Sequence, residues 1–209
     1  MLGKHAQSRV IMFTSFNPAA GKTFSIMNLA ASMALKKSKV IIVDLDLRKA
    51  TLTKTFGKQH SGVAAYLNGK MDDYHSCIDE LSSDLFLLPI GTLPPNPTEL
   101  LLTERFGKMI DELRKEYDYV FLDCPPIDIV ADASIITEKV DMTVFVLRAG
   151  RIDKSSLPYV EELYRNGKYK HMAMVINSVE LLAKKYGYGR RGYGYGYGYG
   201  YGYGYGNQD

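Results

Sequence analysis

The chain is short of cysteine, of net charge and of long apolar runs, and each shortage removes a class of protein. Cys77 and Cys124 are its only cysteines, one in a polar, helical-looking stretch and the other beside a buried-strand pattern. A disulfide framework is therefore not expected, and a reducing cytosol is. A formal net charge of +3 is too small to argue for nucleic acid or an anionic membrane. No apolar run approaches the roughly 18 residues of a membrane span, and no signal-peptide pattern is visible. What is present suits one domain with a full core: 209 residues, 46% of them apolar. Met1-Leu2-Gly3-Lys4-His5 lacks start-like features and leads almost at once into the first strand, as expected of a fragment of a longer chain.

The most informative stretch is Thr14-Ser15-Phe16-Asn17-Pro18-Ala19-Ala20-Gly21-Lys22-Thr23. It follows the apolar run Val10–Phe13 and precedes a helical pattern over Phe24–Lys37. Strand, tight loop and helix aim backbone N–H groups and the helix N-terminus at one point, where an anion is stabilised. Lys22 can reach the terminal phosphates of a nucleotide and the Thr23 hydroxyl can ligate Mg²⁺. The strict pattern G-x-x-x-x-G-K-[ST] fails at its first position, which is Phe16.

Apolar runs recur at Val40–Val43, Leu85–Leu88, Tyr119–Leu122, Thr143–Leu147 and Met172–Ile176. They are continuous rather than alternating, as in strands covered on both faces. Helical patterns lie between most of them. The first puts Ile26, Leu29, Ala30, Met33 and Ala34 on one stripe. Another opens at Asn96-Pro97-Thr98-Glu99, where Asn96 can cap, Pro97 fits the first turn and Glu99 can close a capping box. Its stripe is Leu102, Phe106, Met109, Ile110 and Leu113, and a later helix is expected from Asp153 to about Asn166. The expected fold is α/β: a doubly wound, mostly parallel sheet with helices on both faces, of the P-loop type. Ligands then sit at the C-terminal ends of the strands.

Acids stand at those ends. The second strand runs into Asp44-Leu45-Asp46, of which one could hold Mg²⁺ and the other orient or deprotonate an attacking hydroxyl. Helix capping is the ordinary alternative. Asp123 ends a buried-strand pattern, the place where nucleotide hydrolases keep a metal-directed acid, and Cys124-Pro125-Pro126 stops the strand. Asn177 ends the last strand, where it can reach an adenine edge or cap a turn.

Taken together these residues resemble the bacterial tyrosine kinases (BY-kinases), the cytoplasmic domains that regulate capsule and exopolysaccharide export. Ser15-x-x-Pro18-x-x-Gly21-Lys22-Thr23 is similar to the family's Walker A, Val43-Asp44-Leu45-Asp46-Leu47-Arg48-Lys49 to its second such motif, and Phe121-Leu122-Asp123-Cys124-Pro125-Pro126 to its Walker B. Ser61-Gly62-Val63-Ala64-Ala65-Tyr66-Leu67-x-Gly69 and Leu88-Pro89-x-Gly91-x-x-Pro94-Pro95-Asn96-Pro97-x-Glu99-Leu100-Leu101 match as well. Where the family usually has glycine this chain has Ala19, which is expected to fit only at negative φ. The wider relatives, the partitioning and cell-division ATPases, carry a second lysine where Asn17 stands, so an ATPase switch without kinase activity is the alternative reading.

The resemblance implies ATP and Mg²⁺ as cofactors, held by Asn17, Pro18, Ala19, Ala20, Gly21, Lys22, Thr23, Phe24, Arg48 and Asn177. It implies that Lys22 pairs with the β- and γ-phosphates, that Thr23, Asp44 and Asp123 serve the metal, and that Asp46 accepts the tyrosine proton. Lys22, Asp44, Asp46 and Asp123 are the implied catalytic set. Implied partners are further copies of the chain in a ring and a membrane activator, separate or fused upstream, which places the protein in the cytoplasm at the inner face of the cell membrane. The family's ring-forming helix has no counterpart before Arg9, so weakened oligomerisation is expected.

The domain is expected to cover residues 1–183 and a tail 184–209. Tyr186, Tyr188, Tyr193, Tyr195, Tyr197, Tyr199, Tyr201, Tyr203 and Tyr205 alternate there largely with glycine. Glycine at every second position costs too much chain entropy for a packed element. The segment reads as a flexible aromatic tail, and the resemblance implies that its tyrosines are phosphoacceptors, modified by a neighbouring subunit. Each phosphate would add about −1.5 to −2 charge and reverse a sign that Arg190 and Arg191 hold positive.

Overall fold

A computed structural model of the protein describes residues 9–46, 49–57, 61–95, 97–127, 136–152 and 154–179. All six expected runs are strands: β1 (Arg9–Ser15), β2 (Val40–Asp44), β4 (Leu85–Leu88), β5 (Tyr119–Asp123), β6 (Met142–Arg148) and β7 (Met172–Asn177). A further strand, β3 (Asp79–Ser82), hairpins antiparallel onto β4. It was not expected, because Asp79-Glu80-Leu81-Ser82 has no apolar run: as an edge strand it needs only one half-buried face. The sheet order is β3-β4-β2-β5-β1-β6-β7, with every other pairing parallel.

Successive side chains of the central strands enter opposite cores. Val10, Met12, Ile41, Val43, Val120 and Leu122 face one cluster, while Ile11, Phe13, Val40, Ile42 and Phe121 face the other. Both faces are covered, so the strands need no polar alternation. Each such side chain contributes roughly 1.5–3 kcal/mol of burial. Helix α1 (Lys22–Ala34) closes the second cluster with Ile26, Ala30 and Ala34. Leu29, expected on that stripe, is 39% exposed. The edge strand β7 departs from the buried pattern too: Met174, Val175 and Ile176 are exposed, because only β6 flanks it among the described residues.

Short helices α2 (Thr51–Phe56) and α3 (Val63–Leu67) follow β2. The helix expected from Asn96 is two, α4 (Pro97–Leu101) and α5 (Glu104–Glu116). Thr103 breaks it. Its backbone is extended, and its hydroxyl and N–H both bond Leu100 O. Leu102 therefore leaves the expected stripe and is 65% exposed, while Phe106, Met109, Ile110 and Leu113 are buried as their spacing predicts. The expected cap Asn96 lies outside the described residues. The last helix, α6, runs over Leu157–Arg165, after a single 3₁₀ turn at Lys154–Ser156. The compact unit runs to Val179, and the expected boundary at 183/184 and the whole tail lie outside the described residues. No described helix is long and apolar enough to cross a membrane.

Candidate active site

The sheet's register assembles the site. Phe13 on β1 and Asp44 on β2 both stand opposite Asp123 on β5, so the ends of three adjacent strands meet at one rim. Beyond β1 the chain turns through Phe16–Gly21 into α1, whose first residue is Lys22. Gly21 takes φ 93, a conformation that calls for glycine, and a Cβ there would come 2.0 Å from Asn177 Nδ2 and displace that side chain.

Thr23 Oγ1 donates to Asp123 Oδ2 at 3.0 Å, across 100 positions of sequence. Lys22 and Asp123 are buried, and so are Asp44 and Asp46. Asp123 Oδ1 is buried and meets no hydrogen-bond donor among the described residues. Burial pushes the Asp123 carboxyl up to about 7, and the charges of Asp44 and Asp46 act in the same direction. Lys22 and the Thr23 hydroxyl oppose the rise without cancelling it. The adjoining Cys124 thiol is driven well above its ordinary range by burial and stays protonated.

Asp44 is held differently. Its Oδ2 accepts the Thr53 hydroxyl at 2.6 Å and the Thr53 N–H at 2.8 Å, and its Oδ1 accepts the Asp46 N–H at 3.1 Å. Burial nevertheless raises its pKa. Thr53 also accepts the Ile90 N–H at 2.9 Å, tying the end of β2 to the chain after β4. Asp46 accepts the Lys49 N–H at 3.1 Å, an Asx-type turn that bends the chain at the rim. Arg48 lies outside the described residues.

The loop corrects one expectation. Ala19 takes φ 59, the left-handed region, not the negative φ expected for an alanine there. Two side chains secure the turn: Arg148 Nη1 donates to Ala19 O at 3.1 Å and Asn177 Nδ2 donates to Ala20 O at 3.0 Å. Asn177 thus touches the loop, and its Oδ1 accepts the Ser178 N–H. Asn17, Pro18 and Ala19 are exposed along the loop's outer edge and Phe24 is 67% exposed on α1. Thr53 and Arg148 were not legible beforehand, since neither belongs to a local motif.

The donor set fits Mg²⁺ bound together with nucleotide phosphates. Such an ion takes hard oxygens and usually keeps several waters, with one or two protein carboxylates. Asp123 Oδ1 is an uncompensated buried acceptor beside the Thr23 hydroxyl, as such an ion requires. Among the described residues no group of three or more His, Cys, Asp or Glu could hold a metal alone, so phosphate oxygens and waters would supply the rest.

Comparison with known proteins gives the same direction. The family described as "AAA domain" matches residues 8–146. Tyrosine-protein kinase CpsD of Streptococcus pneumoniae serotype 4 is 35% identical over 181 residues, covering 86% of this chain and 80% of that protein. Tyrosine-protein kinase wzc of Salmonella typhimurium is 39% identical over 145 residues, 68% of this chain but 20% of its own length. The kinase domain of the Escherichia coli tyrosine kinase ETK superposes with a TM-score of 0.74 at 29% identity, over 88% of this chain and 74% of that one. A ParA family ATPase from Chlorobium tepidum, at 20% identity and a TM-score of 0.65, shares the fold. On sequence and on structure alike, the chain belongs to the bacterial tyrosine-protein kinases.

Proposed function

We propose that the protein transfers the γ-phosphate of Mg-ATP to tyrosines of its own C-terminal cluster, mainly between subunits, and in doing so regulates exopolysaccharide or capsule synthesis and export. The observation that carries this reading is the Thr23–Asp123 contact beside buried Lys22, with one Asp123 oxygen left unpaired in the interior. The names of the relatives support the choice of tyrosine as acceptor.

Phosphoryl transfer asks a protein for in-line positioning and charge neutralisation. The amides of the loop and of the α1 N-terminus bind phosphate oxygens. Lys22 neutralises charge on the terminal phosphates. Thr23 and Asp123 would hold Mg²⁺, with Asp44 assisting at the metal, and the ion would draw off negative charge from the phosphates. Asp44, already satisfied by Thr53 and the Asp46 amide, shapes the rim and adds negative charge next to Asp123. Asp46 orients the phenol and takes its proton late, since a carboxylate is too weak a base to strip a phenol before the oxygen–phosphorus bond forms. A tail of about twenty residues spans roughly 65 Å when extended, enough to reach a neighbour's site or its own.

Incubation with Mg-ATP followed by intact-mass measurement tests the proposal. Phosphate additions confined to residues 186–205 and abolished by Lys22→Met are the expected result. Phosphate released to water with an unmodified tail would replace it with the ATPase-switch reading.

A further inference from the structure

Arg148 and Asn177 are the last residues of β6 and β7 and stand opposite each other in the parallel register. Their two side chains reach consecutive carbonyls of the phosphate loop, those of Ala19 and Ala20. The Ala149 N–H also donates to Asn177 O at 2.9 Å, so the two strand ends are tied together just where the donors leave them. Peptide planarity gives this arrangement a consequence. A carbonyl and the N–H of the same peptide unit point in opposite directions, so holding the Ala19 and Ala20 carbonyls outward aims the Ala20 and Gly21 amides the other way. Consecutive inward amides are what a phosphate-binding concavity needs.

The held conformation has a cost. At φ 59 the Ala19 Cβ crowds the backbone, a conformation that glycine adopts freely and an L-residue does not. Nothing in the local sequence asks for it. Arg148 comes from 129 positions away and bonds the residue that bears the strain. We propose that Arg148 is a positioning residue of the phosphate loop: its guanidinium holds Ala19 in the left-handed turn, so that the Ala20 and Gly21 amides face the phosphates before the nucleotide arrives. The inference rests on the nucleotide reading given above.

The test compares Arg148→Ala, Arg148→Lys, Ala19→Gly and the double variant Arg148→Ala/Ala19→Gly in the full chain. Two quantities are read, affinity for Mg-ATP and hydrogen exchange of the peptide spanning residues 16–24 without nucleotide. Arg148→Ala should weaken binding about tenfold, the size set by the penalty for a left-handed L-residue, with KM for ATP rising more than kcat falls. Arg148→Lys keeps a donor and should lose less. Glycine at position 19 should recover most of the affinity lost in the Arg148→Ala background. Arg148 also lines a hollow of about 240 Å³ with Phe16 and Ile152. If glycine at 19 gives no recovery, Arg148 acts on the ligand or elsewhere and the proposal is overturned. Unchanged loop exchange in Arg148→Ala overturns it as well. Quickened exchange in a protein that binds no nucleotide would leave the loop-holding role in place and remove the nucleotide reading instead.

Discussion

Asp44, Asp46 and Asp123 at the strand ends are 0%, 6% and 1% exposed, whereas Asp73, Glu112 and Glu116 gather at the surface around the 3₁₀ turn His75–Cys77. Both regions crowd three acids, and they resolve the crowding in opposite ways. At the surface, His75 bonds Asp73 Oδ1 at 2.8 Å and Glu116 Oε1 at 2.9 Å, and its ring stacks on Tyr74, which donates to Glu112 at 3.1 Å. The hydrogen bond to Glu116 raises the His75 pKa, and the hydrogen bonds from the His75 backbone and ring hold Asp73 below the usual carboxylate range. Each charge has a local answer, and the outcome is a clasp between the turn and α5. At the strand ends burial outweighs Lys22, and the Asp123 carboxyl is driven up instead of down. A buried acid whose charge is left partly unanswered costs stability and is ready for a cation. The surface cluster adds to folding, and the buried one draws on it.

The sharpest break in this comparison is Lys22→Met. Removing the buried cation should abolish tyrosine phosphorylation by at least about 100-fold, read as intact mass after Mg-ATP, because electrostatic stabilisation of the phosphoryl group is lost. The fold should survive, since methionine is an unbranched side chain of similar length.

Asp123→Asn should separate function from stability. Mg-dependent nucleotide binding should be lost, while the nucleotide-free protein gains on the order of 1–3 kcal/mol in denaturant unfolding above pH 7. The sign follows from the raised carboxyl. In the unfolded chain it ionises near its ordinary value of 3.8, in the folded chain at about 7, so the native protein loses stability as pH rises between the two. The gain from asparagine should therefore grow from pH 4 to 7 and then level off. A loss of stability at pH 8 would show that Asp123 is already paired.

Thr53→Val should move the other way. It takes one donor from Asp44 and leaves the Ile90 N–H without its acceptor, at about 1–3 kcal/mol of stability. Its effect on phosphorylation should exceed what the melting shift accounts for, since the rim moves with it.

The smallest effect belongs to the surface. His75→Ala should cost only a few tenths of a kcal/mol, because the ion pairs are open to solvent. With the His75 pKa raised, its contribution is fully present below 6.5 and is lost as pH climbs through the higher folded value. Melting curves of the two proteins should differ at pH 6 and coincide at high pH. A constant difference would mean that His75 acts by stacking on Tyr74 alone.

Much of the site was readable because its residues sit at the ends of patterned elements. Continuous apolar runs that stop at an acid mark a strand leaving a parallel sheet, and Asp44 and Asp123 were found in that way. Gly21-Lys22-Thr23 was visible because a loop-to-helix turn has few residue solutions. Thr53 was not visible, because a threonine inside a short helix carries no signal until the Asp44 carboxylate is set beside it. Arg148 was not singled out, because one arginine after an apolar run carries no local signal. Ala19 was misread outright: local propensity put it at negative φ, whereas it takes φ 59 with its carbonyl bonded to the Arg148 guanidinium from 129 positions away. The strand β3 and the break at Thr103 escaped for a related reason, since edge pairing and a hydroxyl bonded to Leu100 O act against the apolar period rather than through it.

By itself the amino-acid order determined the alternation of strand and helix, the phosphate loop and the acids at the strand tips. Those depend on neighbours a few positions apart, where period and turn chemistry act directly. Folding in three dimensions decided which acid is sated and which is left wanting, and which far-off donors hold the loop. Thr23 meets Asp123 across 100 positions and Arg148 meets Ala19 across 129. Such meetings depend on the order in which strands lie in the sheet, and burial sets their energy only once the layers have closed over them.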